Sequence, residues 1–109
     1  MNQTTTMPTT CYPAVAELAI FDGDGPRPQF LLDSDKLKVV VVGLEPGQQI
    51  PAHPETLAVY HFLAGDGVMT VDGAAHAVAP GATLIAPAGA ARGVVATSRL
   101  TFLAVKSGA

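Results

Sequence analysis

Two Pro-Gly dipeptides constrain the fold of this chain more than any other feature. Each opens a short segment that reaches a further proline: Pro46-Gly47 leads to Pro51, and Pro80-Gly81 leads to Pro87. Proline has no N–H for the ladder of a central β-strand, so it belongs where strand pairing stops. The recurrence predicts two matching halves, each a turn followed by a short strand, as in a duplicated jelly roll.

Short apolar runs between glycines and prolines predict the strands. The clearest is 37–44, whose valines are apolar on both faces, as is typical of a strand covered on two sides. Asp72-Gly73 is a hairpin dipeptide between two such runs. The other predicted strands are 15–21, 57–63, 68–71, 74–78, 83–86, 94–95 and 100–105. No segment has a helical period with caps, so the sequence predicts an all-β sandwich or barrel.

Composition narrows the class of protein further. A chain of 109 residues suits one domain, and 49% hydrophobic against 14% charged residues leaves more apolar surface than one core can hide. We therefore expect a homodimer, formed through the N-terminal strands and an apolar sheet face. The net charge is -3 and the six Lys and Arg are scattered, so no nucleic-acid partner is expected.

The N-terminal residues are not expected to form a secretory signal. Residues 1–10 are Thr-rich without a basic start or an apolar stretch, which predicts a disordered or extended tail ahead of a single barrel domain over 11–109. No apolar run reaches membrane-spanning length, so we expect a cytoplasmic protein without a membrane partner. The single cysteine, Cys11, excludes an intrachain disulfide.

The turn residues resemble the two sequence motifs of the cupin family. In the first motif, at about 47–67, Gly47 is followed at the family spacing by His53 and ends at Gly65. In the second, at about 81–96, Gly81, Pro87 and Gly89 all fall in register. The resemblance covers roughly residues 37–106. It implies a double-stranded β-helix, the jelly-roll barrel of RmlC-like cupins.

The metal ligands of the family are mostly replaced. Metal-binding cupins use three His and one Glu, but here Glu55 stands at the second His position and Ala58 at the Glu position. In the second motif Arg92 takes the His position, and a guanidinium cannot donate a lone pair. We therefore expect no cofactor, with a divalent metal on an incomplete site of His53 and Glu55 as the alternative.

Arg92 supports two interpretations. At the family's inward position it would give the pocket a two-pronged donor for a carboxylate or phosphate. Alternatively it pairs with Glu55 and closes the mouth of the barrel without a ligand. His53 either lines the pocket or lies on a solvent-exposed loop. Tyr60 would add a hydroxyl to the pocket or serve as a core residue with a hydrated tip.

The other two histidines are weaker site candidates. Side chains alternate along a strand, so if position 58 faces inward, Tyr60 and Phe62 do too, and His61 faces outward. Only a bulge would turn His61 into a metal ligand. His76 follows the Asp72-Gly73 turn, far from the motif positions.

The leading functional hypothesis is a small-molecule-binding or sensing protein. Its ligand would be polar or anionic and would meet His53, Glu55, Tyr60 and Arg92. One alternative is a metal-dependent enzyme of the dioxygenase or isomerase type, with His53, Glu55 and a recruited histidine as ligands. Another is a structural subunit with a vestigial pocket. No catalytic residue is assigned, since fold does not dictate function.

Overall fold

Residues 8–108 are described by a computed structural model, and they form nine strands and one turn of 3-10 helix. The 3-10 helix spans Val15–Leu18. The strands are β1 (Gln29–Asp33), β2 (Leu37–Leu44), β3 (Gln49–Pro54), β4 (Ala58–Ala64), β5 (Gly67–Val71), β6 (Ala74–Val78), β7 (Thr83–Ala86), β8 (Ala91–Ala96) and β9 (Leu100–Ser107).

The strands form two antiparallel sheets that face each other. One sheet has the order β1-β2-β9-β4-β7 and the other the order β3-β8-β5-β6. Strands distant in sequence are thus neighbours, as in a jelly roll. The predicted all-β double-stranded β-helix is confirmed.

The core lies between the sheets and follows the two-residue period of the strands. On β4, Ala58, Tyr60 and Phe62 are buried, and on β9, the neighbouring strand of the same sheet, Leu100, Phe102 and Ala104 are buried beside them. On β2 the valines bury both faces: Val40 and Val42 join the core, while Val41 is buried on the opposite face. The sequence interpretation of 37–44 as a strand covered on two sides is therefore correct.

The predicted secondary structure of residues 15–21 was wrong. The run 15–21 is not a strand but the short 3-10 helix, followed by a single bridge between Ile20 and Arg27. Alanines and Glu17 break up the run, and both residue types are depleted in strands. Residues 1–7 of the predicted tail lie outside the described residues, and residues 8–10 are exposed and irregular.

The sequence analysis missed β1 and ended β3 too early, at Pro51, and both strands border the site described below. In β1 the alternation of apolar and polar residues that marks a strand is absent, because Phe30, Leu31 and Leu32 are consecutive apolar residues. β3 contains Pro51, which the proline rule placed at a strand end. The rule fails here because β3 is an edge strand whose register shifts between Ile50 and His53, the position where a proline is tolerated.

Candidate functional site

A cavity of about 370 Å³ opens between the two sheets. Most of its wall is apolar, and five of the six polar lining residues, all except Gln49, lie close together through hydrogen bonds or cross-strand pairing. The apolar part is formed by Pro26, Pro28, Phe30, Val40, Val42, Ile50, Pro51, Met69, Gly93, Val94, Phe102 and Ala104. The remaining lining residues are Gln49, His53, Glu55, Tyr60, Arg92 and Lys106. All four residues of the sequence hypothesis, His53, Glu55, Tyr60 and Arg92, thus lie in one cavity wall.

Arg92 on β8 is the most deeply buried charged residue of the described chain, with 2% of its surface exposed. Its Nη1 donates to the carbonyl of Thr56 at 2.7 Å, and its Nη2 to those of Pro87 at 2.8 Å and Glu55 at 3.2 Å. Its Nε donates to the carbonyl of Ala90 at 3.0 Å. The guanidinium therefore ties β8 to the chain segments before β4 and after β7.

This geometry departs from both sequence interpretations of Arg92. No ion pair among residues 8–108 includes Arg92, so the expected pair with the Glu55 carboxylate is not formed; the contact is to the Glu55 carbonyl. The fifth N–H faces the Tyr60 hydroxyl at 3.5 Å. A guanidinium has five N–H donors, so none is left for a two-pronged contact with a bound anion. Its positive charge nevertheless stays at the cavity wall.

Glu55 instead lies between two other cavity residues. One carboxylate oxygen accepts from Lys106 Nζ at 2.8 Å, and the other is in close contact with His53 Nε2. His53 Nδ1 lies 2.9 Å from the carbonyl oxygen of Pro51, so the ring has a contact on each of its two nitrogens. The three side chains form a polar corner, a name used below for His53, Glu55 and Lys106.

The polar corner sets the charge state of Glu55. Burial raises the pKa of the Glu55 carboxyl, but the hydrogen bonds and charges of Lys106 and His53 outweigh burial, so the pKa lies below its ordinary value. Glu55 is therefore a carboxylate at neutral pH. Its contribution to folding stability is present at neutral pH and is lost as the pH falls through this lowered pKa.

Tyr60 combines a core ring with a hydroxyl at the cavity. The residue is 4% exposed, and its ring packs against Phe102 with centroids 6.0 Å apart. Its oxygen faces the Arg92 guanidinium, and no acceptor for its own O–H is present within residues 8–108. Tyr60 is thus a core residue through its ring and a cavity residue through its hydroxyl, so both sequence interpretations apply to it.

The remaining sequence candidates lie away from the cavity. His61 faces outward, as the alternation of β4 predicted, and bonds to Thr83 of β7 at 2.7 Å across the outer face. His76 is exposed on the edge strand β6, and Cys11 is exposed near the N-terminus.

The donor set does not fit a metal ion. Cupins can hold a divalent ion when three or more lone-pair donors converge, but no group of three His, Cys, Asp or Glu does so among residues 8–108. The two candidate donors, His53 and Glu55, already bond to each other. Lys106 and Arg92 add two cations to the same wall, which disfavours a further cation.

Sequence reasoning missed Lys106 and the rim formed by Pro26, Pro28 and Phe30. Lys106 had a detectable signal, because the period of β9 places it on the same face as Phe102 and Ala104. The rim had none, since β1 was not recognised as a strand.

Comparisons with known proteins agree with this architecture. Residues 40–106 match the family described as Cupin domain. No functionally curated protein matches the chain significantly. A conserved protein of unknown function from Streptococcus pyogenes is 23% identical, with 100% of this chain and 96% of that chain covered and a TM-score of 0.82. At this identity the likeness shows the fold alone.

Two further solved structures extend the comparison. A cupin superfamily protein from Desulfitobacterium hafniense is 17% identical, with coverages of 99% and 100% and a TM-score of 0.83. The protein TT1209 from Thermus thermophilus is 28% identical, with 86% of this chain and 93% of that chain covered and a TM-score of 0.80. In the part of the chain that the structure describes, no helix is long and apolar enough to cross a membrane.

Proposed function

The chain belongs to the cupin family, and from this premise we propose that it binds a small molecule in the barrel cavity. The ligand has an apolar body, which lies between the two sheets, and a polar head group, which meets the polar corner. Cupins serve as enzymes, binding proteins and sensors, so the family alone does not select among these roles.

The observation that carries the proposal is the cavity itself. Its volume of about 370 Å³ falls within the roughly 300–1,000 Å³ typical of small-molecule sites. Both sheets contribute apolar side chains to it, among them Val42 and Phe102 from one and Met69 and Val94 from the other. A mostly apolar wall with a few polar groups is the usual form of such a site.

The polar groups support orientation of the ligand. Tyr60 offers an O–H donor from a buried position, and Lys106 offers an ammonium group from the polar corner. These groups are held by packing and by hydrogen bonds within the protein, so a ligand does not have to order them.

A substitution that fills the cavity with a larger side chain tests the proposal. Val94 and Val95 are neighbours on β8, but Val94 lines the cavity and is 3% exposed, whereas Val95 faces solvent and is 42% exposed. We expect Val94→Phe to weaken the binding of phenylpropanamide, a neutral probe, by roughly tenfold or more, or about 1.4 kcal/mol. Val95→Phe should leave the affinity unchanged. An NMR titration that resolves backbone amides measures both affinities and locates the probe.

Ile50→Phe provides a second blocking variant if Val94→Phe does not fold. Ile50 pairs with Val94 across β3 and β8 and is half-buried at the cavity wall. Binding of the probe outside the cavity, or equal affinities for the blocked and control variants, would contradict the proposal.

A further inference from the structure

We infer that the ligand head group is an anion that binds Lys106, and that Glu55 is an internal competitor for this lysine. The inference rests on the proposed function, because it assigns the chemistry of the same cavity. In the free protein the Glu55 carboxylate takes the place of the ligand's anionic group. Binding therefore exchanges one carboxylate for another at Lys106.

Lys106 has the free donor capacity that Arg92 lacks. An ammonium group has three N–H donors, and within residues 8–108 only Glu55 accepts one of them. The side chain is 23% exposed, so its head is held at the cavity and is still reachable. The Lys106 stem follows Ala104 and Phe102 along the inner face of β9, which aligns it with the apolar wall.

Glu55 has a second partner, His53, that remains when Lys106 is released. Its second oxygen is bonded to His53, and the His53 ring also contacts the carbonyl of Pro51. A carboxylate that loses Lys106 therefore keeps one partner and is not left unpaired in a partly buried position. The exchange preserves an anion beside Lys106 in both states.

The charge of the wall favours an anion over a cation. Lys106 and Arg92 are the lysine and arginine of the cavity wall, and Glu55 is the single carboxylate among the lining residues. Arg92 is held by backbone carbonyls, so no carboxylate neutralises it. The cavity therefore has a positive excess although the chain has a net charge of -3.

Removal of the competitor tests the inference. Phenylpropanoate, phenylpropanamide and phenylpropylammonium share one apolar body and differ in charge. We expect Glu55→Gln to raise the affinity for phenylpropanoate roughly five- to tenfold, because repulsion disappears and Lys106 is freed. The same variant should change the affinity for phenylpropanamide by less than about twofold. Lys106→Gln should lower the affinity for phenylpropanoate roughly fivefold or more.

Glu45→Gln is the matched control. Glu45 also bonds to a cation, Arg99, but lies outside the cavity lining, so its substitution should leave all three affinities unchanged. Unchanged or weaker binding of phenylpropanoate to Glu55→Gln, or a preference of the wild type for phenylpropylammonium, overturns the inference while the proposed function stands. Failure of all three probes to bind in the cavity of any variant overturns both.

Discussion

Arg92 stands where the family has a metal-binding histidine, and here it acts as a structural clamp that holds separate chain segments together. Its guanidinium makes four hydrogen bonds to backbone carbonyls, at 2.7–3.2 Å, that come from two separate segments, 55–56 and 87–90. An imidazole could not reach all of them, because it has at most two donors. The sequence indicated an inward arginine correctly, but not its partners. Those partners are carbonyls, which every residue carries, so no residue type signalled them.

Substitution of Arg92 should destabilise the fold. Arg92→Met keeps the approximate length of the side chain but removes the N–H donors to four backbone carbonyls. Of these, the carbonyls of Glu55 and Pro87 keep a second donor, the N–H groups of Gly89 and Ala90. We expect a loss of about 3 kcal/mol or more in the free energy of unfolding, measured by urea denaturation. Arg99→Met is the control, because Arg99 is exposed and pairs with Glu45; it should cost about 1 kcal/mol or less. Equal losses in both variants would show that Arg92 is not a clamp.

The close packing of β3 on β8 positions the polar corner. β3 carries His53, and its backbone passes directly over Gly93 of β8. A Cβ built on Gly93 would lie 2.7 Å from the Ile50 carbonyl oxygen and 2.8 Å from the Ala52 nitrogen. Only a glycine fits at this position, because any Cβ would clash with the backbone of β3. The sequence analysis gave Gly93 no packing role, because the approach involves residues more than forty positions apart.

We expect Gly93→Ala to push β3 away from the barrel. The clash is with backbone atoms of β3, which cannot rotate away as a side chain can, so the cost should be roughly 1–3 kcal/mol. Thermal unfolding measures the loss, and NMR shifts of His53 should report the displacement. Gly23→Ala is the control, since a Cβ at Gly23 meets nothing within 4 Å. An unchanged melting temperature for Gly93→Ala would refute the close-packing account.

At the scale of the molecule, the five-stranded sheet has an apolar outer face. Register places Val39, Val105, Val59 and Ile85 side by side across β2, β9, β4 and β7. Ile85 is 68% exposed, although a β-branched apolar side chain gains free energy on burial. The N-terminal segment covers a neighbouring part of this face, where Phe21 lies over Gly43. We propose that a second copy of the chain covers the row, as the apolar composition led us to expect.

A charged side chain in the apolar row of the outer face should dissociate the proposed dimer. Ile85→Glu would bury a carboxylate in the proposed interface, so we expect a monomer by size-exclusion chromatography with light scattering, against a dimer for the wild type. Val95→Glu places the same charge on an exposed position of the other sheet and should stay dimeric. A monomeric wild type, or a dimeric Ile85→Glu, would contradict the proposed interface.

The amino-acid sequence by itself predicted an all-β sandwich or barrel, because turn residues and the two-residue period act locally and can be identified in order along the chain. The resemblance to the two cupin motifs implied the jelly roll and gave His53, Glu55, Tyr60 and Arg92 as candidate pocket residues, and all four line one cavity in the structure. Only the tertiary structure decided which of them bond to one another. Lys106 took the carboxylate that Arg92 was expected to bind, because β9 pairs with β4 and brings its last inward residue beside the segment that carries Glu55. Such a contact depends on strand order and register, which sequence spacing does not fix.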